Sequence, residues 1–310
     1  TTLVGAGDVI FSDELNHASL IDGARLSRAR VEVFGHHELS ELEQGLKAHR
    51  GARRRLIAVE TVTSMDGDRA PVDALVELAE RYDAHLFLDH AHAAGVVEDA
   101  FCDSPRVLAQ LVTGGKALGV CGAFLCGPRV VVELLINRGR SFVFSTAVSP
   151  ATAGALEAAI GVIRAEPERR HRLHQAAERL RGQLLAGGVE ALGQGPIVSV
   201  VLGPEQRALD VAEEVRTAGF DVRAVRPPTV PPGTSRLRLV CHADHTSAQL
   251  DGVAAAGLAS MGRHPAPVTD TKQARSQRSR ALVVCGTDTE IGKTFVTAAL
   301  GAALVERGVS

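Results

Sequence analysis

Short apolar runs alternate with segments of helical periodicity along the first half of the chain. Residues 56–60 and 85–89 are apolar runs that predict buried strands, and residues 123–125 predict a later one. Between the first two runs, Pro71 opens a predicted helix. Its apolar positions recur at helical spacing: Val72, Leu75, Val76 and Leu78. Strands that alternate with helices predict parallel pairing in a sheet covered on both faces, which is an α/β fold.

The second half of the chain has a different rhythm. Ser149 and Pro150 form a helix start before residues 151–165. Beyond about Pro167 the pattern predicts, in order, a helix over 167–185, a strand over 197–202, a helix over 208–218, strands near 222 and over 237–240, and a helix after Thr246. We therefore expect a large domain over residues 1–150 and a smaller α+β domain over residues 151–264.

The last part of the chain changes character again. Residues 265–280 are rich in proline, serine and arginine and hold few apolar residues, which predicts a linker. Residues 281–285 then predict a strand and residues 292–307 a helix. Because one strand and one helix cannot cover their own apolar faces, residues 281–310 are expected to be an incomplete unit.

Composition excludes several classes of protein. The 310 residues are 45% apolar, which is enough for more than one core, and their formal net charge of −2 gives no basic field for a nucleic acid. No run approaches the roughly 18 apolar residues of a membrane helix, and the first residues lack the basic segment of a signal peptide. Five cysteines without zinc spacing indicate reduced thiols in a cytoplasmic protein.

Two residues, Asp89 and Lys116, carry the main candidate chemistry. Asp89 closes a predicted strand, and open α/β sheets bind ligands beyond the carboxyl ends of their strands. A carboxylate there can keep the nitrogen of a pyridine ring protonated, which makes the ring an electron sink. Lys116 lies among small residues that let a ring approach, and Thr113 can donate to a phosphate. Each residue alone has an ordinary explanation, but the pair at this spacing indicates a cofactor site.

Six ordered segments resemble the α-oxoamine synthase family of fold-type I pyridoxal-phosphate enzymes. They are residues 16–19 (NHAS), 60–71 (ETVTSMDGDRAP), 89–92 (DHAH), 113–119 (TGGKALG), 144–146 (FST) and 226–239 (RPPTVPPGTSRLRL). The resemblance covers about residues 1–262. It implies a large domain with a mostly parallel sheet and a smaller carboxyl-terminal α+β domain.

The same resemblance implies a site for pyridoxal 5′-phosphate (PLP). Lys116 would carry the Schiff base and remove the α-proton of the amino acid, while Asp89 would face the ring nitrogen. His17 would stack on the ring as a third catalytic residue, and His92 would hydrogen-bond to the phenolic oxygen. Thr113 would bind the phosphate. The alternative for His17 is a helix-capping or surface histidine.

The resemblance also implies substrate residues. Ser64 and Glu60 would line the site near the cofactor and the acyl substrate, and Thr229 belongs to the substrate-binding set. Arg238 would bind the amino acid carboxylate through two parallel hydrogen bonds, which a guanidinium suits. The implied reaction condenses L-alanine with a pimeloyl thioester of CoA or ACP, with loss of carbon dioxide, in biotin biosynthesis.

The resemblance further implies a homodimer with shared active sites, because Ser145 and Thr146 would reach the phosphate bound by the neighbouring subunit. Two other classes of function stay open. One is a sister condensation on the same scaffold, with glycine and acetyl-CoA or succinyl-CoA, or with serine and a long acyl-CoA. The other is a non-enzyme that keeps the fold without turnover.

The chain departs from the family pattern at three places. His90 stands where the family usually has an acid; His90 and His92 are spaced like a metal pair, but carboxylates at ligand spacing are absent, so no metal is expected there. The stretch between Gly95 and Thr113 is shorter than in relatives. The chain also begins after the segment that supplies a substrate arginine and a phosphate turn in relatives, so we expect residues 1–310 alone to be inactive or nearly so.

A second motif, GTDTEIGKT, occupies residues 286–294. It lies between a predicted strand and a predicted helix, as a phosphate-binding loop does, although five residues instead of four separate its glycines. The motif resembles the start of dethiobiotin synthetases. By that resemblance Gly292 and Lys293 would contact nucleotide phosphates and Thr294 would bind magnesium, which implies an incomplete Mg-ATP site.

Overall fold

The first half of the molecule is built on one six-stranded sheet. The computed structural model describes residues 1–265. The elements of this half are β1 (Val9–Asp13), α1 (Ala18–Leu26), β2 (Arg30–Phe34), α2 (Leu39–Ala48), β3 (Arg55–Glu60), α3 (Val72–Arg81), β4 (His85–Asp89), β5 (Val107–Thr113) and β6 (Ala123–Cys126). Their order in the sheet is β2-β1-β3-β4-β5-β6. The predicted strands at 56–60, 85–89 and 123–125 and the helix after Pro71 are all present.

Strands β1 to β5 pair in parallel, as the alternation of strands and helices predicts. Strand β6 differs, because it pairs antiparallel with β5. Only residues 114–122 separate the two strands, and a parallel crossover needs about a dozen residues or more, usually including a helix. The expectation of parallel pairing was therefore wrong for this strand, and the sheet is mostly rather than wholly parallel.

Alternate residues of the central strands point to opposite faces of the sheet, and each face has its own core. On one face Phe11, Ile57 and Leu88 pack with buried residues of α2 and α3. On the other face Ile10 and Ala58 pack with Ala24 of α1. Because side chains alternate along a strand, a sheet covered on both faces reads as a continuous apolar run, as it does here.

The second half of the described chain contains a smaller sheet. Its elements are α4 (Arg129–Arg138), α5 (Arg140–Val143), α6 (Pro150–Ala165), α7 (Pro167–Ala186), β7 (Ile197–Gly203), α8 (Glu205–Thr217), β8 (Arg223–Val225), β9 (Ser235–Val240) and α9 (Ser247–Arg263). The three strands are antiparallel in the order β7-β9-β8. Helices α7, α8 and α9 share one apolar core with this sheet. Ser149 caps α6 and Thr246 forms a capping box on α9, at the predicted helix starts.

One turn of the large sheet packs against the small sheet. Residues 63–68, which follow β3, are called the serine turn below. In this turn Gly67 has φ of +74°, and a Cβ added there would lie 2.7 Å from the Cβ of Ile197. A glycine therefore suits both the backbone conformation and the close approach. Beside it, Arg236 of β9 donates to the carboxylate of Asp66.

Several predictions are not tested by this architecture. The division into domains at residue 150 stays a prediction. The motif with Gly292, Lys293 and Thr294, the incomplete unit and almost all of the predicted linker lie outside residues 1–265. Within residues 1–265, no helix combines the length and apolarity needed to cross a membrane.

Candidate functional site

The carboxyl ends of three adjacent strands place the predicted site residues at one edge of the sheet. Glu60 ends β3, Asp89 ends β4 and Thr113 ends β5. Glu60 and Asp89 are direct neighbours in the parallel register. Because ligands of open α/β sheets bind beyond this edge, the strand order itself gathers these side chains.

Asp89 is a buried carboxyl group with one hydrogen bond from the backbone. Its side chain accepts from the N–H of Ala91 at 2.8 Å, and the residue is 4% exposed. Burial raises the pKa of Asp89, while the Ala91 N–H and the charges of Lys116 and His17 act in the opposite direction. The nearby positive charges therefore do not offset the effect of burial on Asp89. A cationic ligand atom would stabilise its ionised form.

Glu60 is buried beside Asp89, and its Oε1 atom has no hydrogen-bond partner. Burial, followed by the negative charge of Asp89, raises the pKa of Glu60 to about 7. A hydrogen bond from the backbone of His17 and the charge of Lys116 oppose that rise. Near neutral pH, Glu60 therefore shares the site with Asp89 partly in its protonated form.

Lys116 lies in the tight connection between β5 and β6. Its Nζ atom lies 2.7 Å from Nε2 of His92. A Cβ added to Gly114 would lie 2.3 Å from the carbonyl oxygen of Val120, so the connection requires a glycine at this position. The amine of Lys116 influences the pKa of both Glu60 and Asp89, which places it over the same strand edge.

Thr113 presents an unsatisfied hydroxyl to this edge. Its Oγ1 atom is buried and has no hydrogen-bond partner. A buried hydroxyl without a partner costs about 1–3 kcal/mol, so a ligand acceptor at this position would be favourable. The sequence-based role of Thr113 as a phosphate donor is compatible with this placement and stays a prediction.

His17 caps helix α1, and a neighbouring asparagine fixes its backbone. Its Nδ1 atom accepts from the N–H of Ser19 at 3.2 Å. The preceding residue, Asn16, donates to the carbonyl of Ala58 at 2.7 Å and accepts from the N–H of Glu60 at 3.1 Å. The capping role was the alternative explanation for His17, and it coexists here with a position near Asp89. The anchoring role of Asn16 was not recognised in the sequence, although Asn16 is part of the NHAS segment.

His90 points away from His92 and into the protein. It is fully buried, and its Nε2 atom lies 3.0 Å from the side-chain oxygen of Gln110 while Nδ1 lies 2.9 Å from the Thr61 hydroxyl. Burial lowers the pKa of His90, so a neutral imidazole follows Asp89 in the chain. Both ring nitrogens of His90 are thereby engaged, and His92 lies by Lys116 instead.

Arg238 brings the small sheet to the site. From β9, its Nε atom donates to the carbonyl oxygen of Ser64 at 2.7 Å. Burial lowers the pKa of the Arg238 guanidinium. Ser64 lies in the serine turn, four residues after Glu60, so Arg238 and Glu60 belong to one connected region.

Three predicted residues lie apart from this cluster. Ser145 and Thr146 are exposed in the connection between α5 and α6, and Thr229 is exposed in the connection between β8 and β9. The hydrogen bonds described above for Asp89, Lys116 and Arg238 do not include these three residues. Their predicted roles at a phosphate and at a substrate stay predictions.

Comparison with known proteins gives matches over the same part of the chain. A family model described as aminotransferase class I and II matches residues 1–256. An 8-amino-7-oxononanoate synthase of Anaeromyxobacter dehalogenans is 47% identical over 262 residues, which are 82% of this chain and 66% of that relative. The chain thus spans just under two thirds of the length of this curated relative.

Solved structures agree with the sequence matches. A high-resolution structure of SPT with a PLP internal aldimine has a TM-score of 0.80 at 28% identity, and the match covers 84% of this chain and 68% of that chain. A crystal structure of 8-amino-7-oxononanoate synthase from Francisella tularensis has a TM-score of 0.73 at 25% identity, with coverage of 85% and 78%. These likenesses confirm the predicted fold class.

Proposed function

The chain belongs to the aminotransferase class I and II family, and from this premise we propose that it binds PLP and serves a decarboxylative condensation. The substrates are L-alanine and a pimeloyl thioester of CoA or ACP, and the products are 8-amino-7-oxononanoate, carbon dioxide and the free carrier. The observation that carries the proposal is the convergence of Lys116, His92 and Asp89 at one strand edge, with Lys116 Nζ 2.7 Å from His92 Nε2.

The residues at this edge fit PLP in their chemistry. The Lys116 amine can form a Schiff base with the PLP aldehyde, and His92, its hydrogen-bonded neighbour, suits the phenolic oxygen beside that aldehyde. The unpartnered Thr113 hydroxyl suits the phosphate. Asp89, a buried carboxyl group short of positive charge, suits a protonated ring nitrogen. When bound, PLP withdraws electrons from the α-carbon of the amino acid.

The residues of the chain then have separate tasks. Asp89 holds the proton on the ring nitrogen, because its buried carboxylate is stabilised by that positive charge. Lys116 would take the α-proton of the amino acid at its Nζ atom. The hydrogen bond to His92 orients Nζ for this transfer. Glu60, which titrates near neutral pH, limits the negative charge around Asp89.

Arg238 is proposed to bind the carboxylate of the amino acid. Its guanidinium is oriented by the Nε hydrogen bond to the Ser64 carbonyl, which leaves the two Nη groups to form the parallel pair that a carboxylate accepts. Partial burial strengthens such a charge-assisted contact, since the guanidinium is already removed from bulk water. The same contact supports a position of Ser64 beside the amino acid.

Two observations distinguish the proposed reaction from its alternatives. Curated relatives named 8-amino-7-oxononanoate synthase are 43–47% identical to this chain, which favours alanine and a pimeloyl thioester over the sister condensations. The clustered Lys116, Asp89 and Glu60 favour an enzyme over a fold without turnover, because buried carboxyl groups with raised pKa are typical of functional sites.

Reduction with borohydride tests the cofactor assignment. After PLP is added to the protein, reduction and peptide mapping should place the pyridoxyl group on Lys116 and not on Lys47, Lys272 or Lys293. The Lys116→Ala variant should lose the visible Schiff-base absorption, and the matched Lys47→Ala variant should retain it. A stable label on another lysine in the wild-type protein would refute the assignment.

The reaction is tested on the purified protein. Release of CoA from pimeloyl-CoA is measured with L-alanine, glycine and L-serine as amino acids. We expect turnover with L-alanine to exceed that with the other two. Preference for glycine or serine, or for a different acyl-CoA, would assign the protein to a sister reaction.

A homodimer with shared sites is also proposed. Ser145 and Thr146 are exposed, and the apolar residues Phe144 and Val148 beside them are exposed as well, which favours contact with a second copy. Mixing inactive Lys116→Ala and Thr146→Ala subunits should restore part of the activity of the full protein through one intact hybrid site. No recovery despite demonstrated subunit exchange would contradict shared sites.

A further inference from the structure

A histidine outside the strand-edge cluster joins two carboxylates, one buried and one partly buried. Nδ1 of His36 lies 2.9 Å from Oδ1 and 3.0 Å from Oδ2 of Asp13, and Nε2 of His36 lies 2.6 Å from Oδ2 of Asp68. Carboxylate oxygens accept hydrogen bonds, so both ring nitrogens must donate. Only the charged imidazolium carries two N–H groups. This arrangement of His36, Asp13 and Asp68 is called the imidazolium clamp below.

The clamp is partly shielded from water. The side chains of Asp13, His36 and Asp68 are 5%, 19% and 26% exposed. Burial alone would lower the pKa of His36, but the hydrogen bonds to Asp13 and Asp68 raise it to about 10. Burial alone would raise the pKa of Asp68, but the hydrogen bonds from His36 and Thr63 lower it to about 2. All three groups are therefore charged over the neutral range.

On one side the clamp holds the turn that leads to His17. Asp13 ends β1, and its Oδ1 atom accepts from the N–H of Leu15 at 2.9 Å. Residues 13–17, called the histidine turn here, thus begin at a clamped carboxylate and end at the cap of α1. Asn16 ties the same turn to β3 by its bond to the Ala58 carbonyl.

On the other side the clamp holds the serine turn. Asp68 accepts from the hydroxyl of Thr63, and that hydroxyl oxygen in turn accepts from the N–H of Gly67 at 3.1 Å. The N–H of Thr63 also donates to the carbonyl of Asp68 at 3.0 Å. These bonds close the loop around Ser64, whose carbonyl receives Arg238. The clamp therefore fixes the distance between the histidine turn and the serine turn.

We propose that His36 is a positioning residue: its imidazolium, held between Asp13 and Asp68, sets the histidine turn and the serine turn at the spacing that places His17 and Ser64 on either side of one ligand. The ligand is PLP with its amino acid substrate, so the functional part of this inference rests on the function proposed above. His36 itself does not touch the reacting atoms. It acts through the backbone of the two turns.

A metal ion is the competing occupant of this region. Asp13, His36 and His37 offer ligand atoms within 4.8 Å of one another. A histidine binds a metal through a deprotonated ring nitrogen, and both nitrogens of His36 already face carboxylates as donors. A cation would have to displace the proton that joins the two turns. The geometry thus favours the imidazolium clamp, and zinc serves as a test of the alternative.

The test compares His36→Gln with His171→Gln. Glutamine has one amide group and cannot donate to carboxylates on opposite sides. The control makes the same substitution at an exposed histidine of α7 that is not part of the clamp. Backbone amide exchange is followed by mass spectrometry in peptides that cover the histidine turn and the serine turn. We expect faster exchange in both turns for His36→Gln and no change for His171→Gln.

Two further readouts separate positioning from general stability. The dissociation constant of PLP should rise about tenfold in His36→Gln, and the visible circular dichroism of bound PLP should change, because the ring loses its fixed neighbours. His36→Arg should restore both, since a guanidinium can donate from two edges. If His36→Gln does not fold, Asp68→Asn should still loosen the serine turn more than the histidine turn and weaken PLP binding.

Three results would overturn the inference. One is wild-type exchange in both turns of a folded His36→Gln protein. Another is a His36→Arg protein whose two turns exchange as slowly as those of the wild type but whose PLP binding is not recovered. The third is slower exchange and a higher Tm on addition of zinc, reversed by a chelator, which would identify a metal site. If the wild-type protein binds no PLP, the proposed function fails, while the exchange data still decide whether the clamp joins the turns.

Discussion

Replacing Glu60 by glutamine measures how strongly the strand edge disfavours a second negative charge. Glu60 is 5% exposed, and its pKa of about 7 compares with an ordinary value of 4.5. A raised acid pKa means that the folded protein prefers the protonated form. The stability that this preference contributes is complete below pH 4.5 and is lost as the pH rises through about 7. Wild-type protein should therefore lose stability across this window, and the Glu60→Gln variant should lose less.

The size of the effect follows from the width of the window. A difference of about 2.5 pH units corresponds to about 3 kcal/mol at about 1.4 kcal/mol per unit. Coupling to Asp89 and relaxation of the site reduce this, so we expect Glu60→Gln to be more stable than wild type by about 1–3 kcal/mol at about pH 8.5. At about pH 4.5 the two proteins should differ little from this cause, because the carboxylic acid and the amide are both neutral in the folded state.

The assay is unfolding of PLP-free protein followed by circular dichroism, at both pH values and with urea as well as heat. A gain of 1–3 kcal/mol corresponds to a rise in Tm of roughly 2–12 °C for a chain of this size. Glu77→Gln, at an exposed position of α3, is the matched control and should show no pH-dependent gain. An equal shift of Tm by Glu60→Gln at the two pH values would refute the electrostatic reasoning.

Three further substitutions test the site in the full protein. Asp89→Asn should keep much of the PLP binding but lose most turnover, since an amide cannot hold the ring nitrogen protonated. Loss of the charge-assisted contact is worth about 1.5–3 kcal/mol, and an undiminished kcat would contradict this prediction. Arg238→Lys should raise the KM for L-alanine by about tenfold or more with a smaller change in kcat, because lysine cannot form the parallel pair; an unchanged KM would argue against it. Gly114→Ala should lower Tm and weaken the Schiff-base absorption, because its Cβ would lie 2.3 Å from the Val120 carbonyl oxygen; wild-type values of both would show that the turn adapts.

The sequence predicted β3 and β4 because burial on two faces leaves continuous apolar runs, and it also predicted the carboxyl-terminal helices. It did not predict β1, and it did not predict β2 or β5, whose runs contain polar residues. Strand β2 lies at the edge of the sheet, and its residues Arg30 and Glu32 interrupt the apolar pattern. Strand β5 contains Gln110, whose side chain forms hydrogen bonds with His90 and with the backbone of Cys102. A polar residue with partners inside the protein thus interrupts the apolar run. An apolar run in the sequence indicates a buried strand, and neither β2 nor β5 consists of buried apolar residues alone.

The site residues divide in a similar way. Lys116 and Asp89 could be chosen from sequence, because their motifs are short and continuous. Asn16 could not, since its contacts with Ala58 and Glu60 join residues 42 and 44 positions apart. The raised pKa of Glu60 likewise depends on its register with Asp89, which only the folded sheet defines.

The strand-end residues of the site and the residues of the two turns are held in place by different interactions. Glu60, Asp89 and Thr113 are strand-end residues, so the hydrogen bonds of the sheet, parallel for the first two and antiparallel to β6 for Thr113, fix their relative positions without further support. The histidine turn and the serine turn lie beyond those hydrogen bonds and need other connections. The serine turn has ionic ones on both sides: His36 joins it to β1 through Asp68, and Arg236 joins it to β9 through Asp66. Arg238 adds a hydrogen bond from β9 to the Ser64 carbonyl. Ionic hydrogen bonds therefore contribute to its spacing from both sheets, and the loss of either one should disturb Ser64 before it disturbs the strand-end groups.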